Sequence, residues 1–114
     1  MEPVWLVSEG RVLASAHRAT TRAERRRGLI GHARIDQPLV LEPCAWVHSV
    51  GMRADIDVAF VNEDNMVIAT AHLRPWRVGA PVRGSRCVVE AAAGSLERWN
   101  LKVGDTLEVR HVEQ

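Results

Sequence analysis

Apolar residues fall along this chain in short runs separated by turn-forming residues, a spacing that predicts strands rather than long helices. Residues 4–7 and 11–16 flank Ser8-Glu9-Gly10, a hairpin signal. Leu39–Leu41 is a short run bounded by Pro38 and Pro43. Ile56–Val61 and residues 66–71 flank Asn62-Glu63-Asp64-Asn65, a turn built of residues that tolerate left-handed backbone. Cys87–Ala92 and residues 106–112 complete the set. The last alternates, with Leu107, Val109 and His111 on one face and Glu108 and Arg110 on the other.

Two helical pieces interrupt the strands. Thr21-Arg22-Ala23-Glu24 fits a capping box, and Gly31 supplies a stop, which predicts a helix over residues 22–30. Residues 95–100 predict a second helical turn capped by Ser95, with Leu96 and Trp99 facing the sheet together. No repeat, low-complexity tract or linker divides the 114 residues, so one domain over 1–114 is expected. The predicted fold is mainly β: a β-sandwich or squashed barrel, its edges closed, with one short helix packed at its side and a second helical turn.

Composition narrows the function. The formal net charge of +1 argues against sequence-independent nucleic-acid binding, which needs a concentrated basic surface. Lys102 is the only lysine among 15 basic residues; a GC-rich coding sequence accounts for that bias more readily than selection for bidentate anion contacts. The longest stretch without a charged residue, 43–52, is far short of the ~18 residues needed to span a bilayer. The amino-terminal residues lack the basic and apolar regions of a signal peptide, so a cytoplasmic location is expected. Cys44 and Cys87 stand alone, without the paired spacing of a zinc knuckle or redox motif, and read as free buried thiols.

Several motifs share one resemblance. Arg25-Arg26-Arg27-Gly28-Leu29-Ile30-Gly31-His32, Ile56-Asp57-Val58-Ala59-Phe60, Val88-Val89-Glu90 followed by Gly94, and Gly104-Asp105-Thr106-Leu107 occur in the order and spacing of the DUF192 (UPF0127) family of small bacterial and archaeal domains. The resemblance runs from about Arg25 to Leu107. Where the common form of the family carries Phe-Trp-Met-Lys-Asn-Thr, this chain reads Cys-Ala-Trp-Val-His-Ser-Val-Gly-Met-Arg, which resembles a His-x-x-Gly-Met-Arg subgroup. The resemblance implies an architecture and a candidate pocket, not a chemistry. Some family members look like accessories of cell-envelope or secretion systems, which points to a partner of that kind, and many carry an export signal that this chain does not match.

The polar residues around the central strand are the candidates for function. His48, Met52, Arg53, Asp57, Arg74 and Trp76 are read as lining one pocket for a small polar or anionic ligand, or for a peptide from a protein partner. An arginine would fork onto an anion and Trp76 would wall it. Asp57 lies inside an apolar strand, so it needs a partner; Arg27, Arg53, Arg74 and Arg77 are the candidates, and a structural ion pair is the competing account. Glu90 stands in the same predicament. His17, His32, His72 and His111 lack metal-ligand spacing, and neither a metal nor a cofactor is predicted. No Gly-x-Ser-x-Gly elbow, phosphate-cradling loop or dinucleotide fingerprint occurs. Two functions stay open: a non-catalytic binding or accessory module, and a small hydrolase or lyase using Asp57 or Glu90 with His48.

Overall fold

Burial on both faces explains why the central strand carries so little alternation. In the computed structural model, which describes residues 1–30 and 35–112, every residue of Ile56–Val61 is buried. Seven strands form one sheet: β1 (Glu2–Ser8), β2 (Arg11–Arg18), β3 (Leu39–Leu41), β4 (Ile56–Val61), β5 (Val67–Leu73), β6 (Cys87–Ala92) and β7 (Glu108–His111). Their spatial order is β5-β4-β6-β3-β2-β1-β7. All pairs are antiparallel except β2 with β3, whose parallel crossover carries α1 (Arg22–Arg27). A second helix, α2 (Ser95–Arg98), follows β6.

Each face of the sheet has its own core. Val4, Leu6, Val40, Ala59, Val61, Val67, Val89, Leu101 and Leu107 pack on one side, with Leu96 and Trp99 of the α2 region against them. Leu29, Leu39, Leu41, Val47, Met52, Ile56, Val58, Phe60 and Val88 pack on the other. The second core is covered by chain between the strands, so the loops after β3 and β5 are held against a rigid support.

The sheet is not closed, contrary to the expected sealing of its edges. Among the described residues, the ends of the outer strands β5 and β7 are linked by a single bridge just outside them, Met66 with Thr106, and flanking bonds such as Val67 N–H to Asp105 O (2.8 Å). Among the described residues no helix is long and apolar enough to cross a membrane.

Both helices differ from expectation in instructive ways. The capping box is present: Glu24 N–H donates to the Thr21 hydroxyl at 3.0 Å, and Thr21 N–H donates back to Glu24 Oε1 at 3.1 Å. The amino-terminal ammonium lies 2.9 Å from Glu24 Oε2, and these donors hold the carboxyl down at about 2. However, α1 ends at Gly28, whose φ of 53° breaks the helix before Leu29 and Ile30. Gly31 and His32 lie outside the described residues.

For α2, Gly94 rather than Ser95 is the cap residue, and Ser95 Oγ accepts from Arg98 instead. The capping acceptor comes from another element. Asp57 Oδ2, on β4, accepts Gly94 N–H at 3.0 Å and Leu96 N–H at 3.3 Å.

Candidate functional site

Ser49, which is wholly buried, fixes the geometry of the two loops that sequence reasoning singled out. Its hydroxyl donates to the Arg74 carbonyl and accepts Arg77 N–H at 2.7 Å, while its own N–H donates to Arg77 O at 2.7 Å. Its carbonyl accepts Trp76 N–H (2.8 Å) and Met52 N–H (3.0 Å). His48 bridges Val78 antiparallel, Gly79 N–H donates to Val47 O, and the Trp46 indole N–H donates to Gly79 O at 2.7 Å. A Cβ on Gly79 would press to 3.1 Å of Val47 O, so a side chain there would have to push the two segments slightly apart.

The result is a short two-stranded ribbon over residues 45–50 and 76–82. Val47 and Ser49 point inward and are buried, whereas Trp46, Val50, Trp76 and Val78 are exposed, by 44%, 39%, 65% and 65%. Such a cluster of large apolar side chains on fixed backbone is unlike the singly scattered apolar residues of an ordinary surface. Its charge is one-sided. Between Glu42 and Asp55 the only charged residue is Arg53, and between Asp64 and Glu90 the only ones are Arg74, Arg77, Arg83 and Arg86. The rival exposed apolar residues Trp5 and Val12 sit on a hairpin whose charges, Glu2, Glu9, Arg11 and Arg18, are mixed.

Of the six predicted site residues, His48, Arg53, Arg74 and Trp76 belong to these two adjoining loops, with Arg53, Arg74 and Trp76 exposed. Met52 is buried and lines, with His48, a cavity of about 60 Å³ that also reaches Gly28, Cys44, Trp46 and Glu90. Asp57 is elsewhere. It pairs with Ala91 across the ladder while Val58 pairs with Glu90, so the two carboxylates project to opposite faces of the sheet.

The expected arginine partner of Asp57 is replaced by a histidine. His72 Nδ1 lies 2.9 Å from Asp57 Oδ1, and its Nε2 lies 3.2 Å from Asp55 Oδ2. The hydrogen bond to Asp57 raises the imidazole pKa and outweighs the opposing effect of desolvation, and the hydrogen bond to Asp55 adds to the rise. Together with the α2 cap, this makes Asp57 a tie between β4, β5 and α2. Asp57→Asn is expected to cost about 2 kcal/mol, and the loss should persist in high salt because the capping donors are neutral N–H groups. NMR titration of the variant should also find the His72 pKa shifted back toward 6.5; an unchanged His72 would contradict the pairing.

Glu90 has no such partners. It is only 4% exposed, and its Oε1 has no hydrogen-bond partner among the described residues. Burial alone pushes its carboxyl up to about 7. Cys44 also lines this cavity; its thiol donates to Trp46 O, and burial foremost, then the Glu90 charge, raises its pKa. A thiol so held is a poor nucleophile. Among the described residues no three His, Cys, Asp or Glu side chains are grouped as a metal set requires. Sequence reasoning missed Trp46, Val50 and Val78; the acid-free stretches around them were the available signal.

Fold and site together define a small one-sheet β domain with two short helices and an exposed apolar face on loops whose charged residues are arginines. The chain belongs to the DUF192 family, described as an uncharacterized ACR, whose model matches residues 4–109. It is similar to UPF0127 proteins of Pyrococcus furiosus (39% identical over 71 residues) and Pyrococcus abyssi (33% over 64 residues). Those alignments cover 62% and 56% of this chain, and only 61% and 55% of the two archaeal proteins. Among solved structures it resembles a Novosphingobium aromaticivorans protein of unknown function, with a TM-score of 0.77, 23% identity, and coverage of 93% of this chain and 83% of that one. A Sinorhizobium meliloti protein proposed to be a transcription regulator shares the fold at a TM-score of 0.74 and 20% identity, covering 95% of this chain and 92% of the other.

Proposed function

We propose that this domain is a non-catalytic binding module whose ribbon takes up an acidic segment of a partner protein. The observation that carries this reading is the exposed group of Trp46, Val50, Trp76 and Val78 on segments whose only charges are arginines. Aromatic side chains with arginine are the combination that carries most energy at protein interfaces. The ribbon is fixed in advance by Ser49, so binding would spend little on ordering the loops. Arg53 and Arg74 supply forked donors to the partner's carboxylates and Trp76 an apolar contact beside them. The family resemblance points to a partner among cell-envelope or secretion components.

The test is calorimetric titration with a synthetic peptide that intersperses leucine and phenylalanine with aspartate and glutamate. Binding should weaken as salt rises, and Trp76→Ala should weaken it by about tenfold or more. Equal binding of the same peptide with lysine for every acid would overturn the reading. Preference for phosphatidylglycerol vesicles would make the ribbon a membrane contact, and preference for inorganic phosphate alone would make it a small-anion site; either replaces the proposal.

One observation favours a hydrolytic alternative: Glu90 and His48 line the same cavity. Asp57, on the opposite face of the sheet, is not part of it.

A further inference from the structure

The cavity beneath the ribbon raises a separate question, because a buried carboxyl oxygen without a partner is costly. Glu90 projects from β6, the sheet's central region, into a space bounded by Gly28, Cys44, Trp46, His48 and Met52. Gly28 lies against it, and a Cβ there would stand 3.0 Å from Glu90 Oε1, so any side chain at this position would crowd the carboxyl. The volume of about 60 Å³ exceeds the ~10–15 Å³ that one water needs and is too small for a whole metabolite.

The lining fixes the chemistry of what enters. Glu90 Oε1 supplies a free acceptor. His48 Nδ1 accepts Val50 N–H at 3.2 Å, which leaves the ring proton on Nε2 as a donor. The arginine run 25–27 also borders the cavity. Those guanidinium groups oppose a cation, and Glu90 opposes an anion once its carboxyl is ionised. The Cys44 hydrogen is committed to Trp46 O, so the thiol does not satisfy Glu90.

We infer that this cavity is a binding site for a neutral head group that both donates and accepts hydrogen bonds, a primary carboxamide, whose N–H meets Glu90 Oε1 and whose carbonyl meets the His48 and arginine side. The head group can come from a free amide or from a glutamine side chain. It enters whether or not the ribbon takes a partner.

Acetamide, N-acetylglutamine amide, acetate and methylammonium are the probes, titrated into the labelled protein with the Glu90 carboxyl carbon and the amides of residues 28 and 44–48 observed by NMR. Acetamide should shift these signals together and saturably, ahead of both ions. Stronger binding of the glutamine derivative would identify a side-chain source; acetamide alone would identify a free amide. Glu90→Leu should weaken binding by about tenfold, the worth of one hydrogen bond to a buried acceptor, whereas Glu90→Gln keeps a carbonyl acceptor and should retain it. No saturable shift, meaning water alone in the cavity, would overturn the assignment, as would preference for methylammonium or acetate. Should Glu90→Leu not fold, the order of the probes on the unaltered protein decides the matter.

Discussion

Phe60→Ala should lower the unfolding free energy by about 3–5 kcal/mol, the largest single-residue loss expected in this chain. Phe60 is the only phenylalanine, is 3% exposed, and sits on β4 in the core that supports the covering loops. It stands opposite Val88 on one side and Ala69 on the other, with Leu29, Val47 and Met52 in the same cluster. Close-packed surroundings of this kind relax only partly, so most of the cavity would remain. Against a total stability of roughly 5–15 kcal/mol, the variant should be close to unfolding at physiological temperature. Denaturant titration checks this; a loss below about 1 kcal/mol would mean the loops can collapse onto the strand, and that their support is softer than the packing implies.

Stability should fall as pH rises from weakly acidic to alkaline, and Glu90 should be the main cause. Its folded-state pKa of about 7 lies above the ordinary 4.5, so the native protein holds this proton more tightly than the unfolded chain. The stabilisation that follows is fully present below about 4.5 and is lost as pH rises through about 7. The difference corresponds to about 3 kcal/mol by pH 8. His72, whose pKa is raised by Asp57 and Asp55, acts in the same direction. Glu90→Gln removes the ionisation while keeping the shape. It should match the unaltered protein near pH 4 and be more stable by up to about 3 kcal/mol at pH 8. Parallel pH profiles of the two proteins would show that Glu90 ionises without cost, and hence is hydrated.

The strands were legible because each one's apolar run ends at residues with a reason to turn. Glu9 (φ 50°) and Gly10 (φ 77°) form the first turn, and in the second Asn65 (φ 60°) is left-handed while Asn62 Oδ1 accepts Asp64 and Met66 N–H. Partners across the strands were less legible. A regular four-residue turn after Val61 would set Asp57 opposite Thr70, but Val61 pairs with Val67 rather than Met66 and the ladder shifts by one more residue between Phe60 and Val61, which together bring His72 there instead. A bulge has no reliable local signature, so the carboxylate was assigned an arginine partner. The α2 cap was hidden for a related reason: its acceptor is 37 residues away from Gly94 in the chain.

The site was half visible. His48, Arg53, Arg74 and Trp76 drew attention as polar residues near a buried strand, and Gly51 and Pro75 marked loops of fixed shape. The alternation of Trp46, Val47, His48, Ser49 and Val50 could have been read as a strand. It was masked because its partner strand is irregular, with Trp76 itself at φ 64°. The cavity beside Glu90 depends on where Gly28 falls once α1 has ended, a matter of tertiary packing that no spacing rule reports.

The central claim is that the 45–50 and 76–82 ribbon is the binding face, and mapping amide chemical shifts on titration with the acidic apolar peptide tests it most directly. Perturbations should centre on residues 46–50 and 76–80, extend to the side chains of Arg53 and Arg74, and include the indoles of Trp46 and Trp76. Shifts confined to the Trp5 and Val12 hairpin, or no saturable shift at any residue, would contradict it.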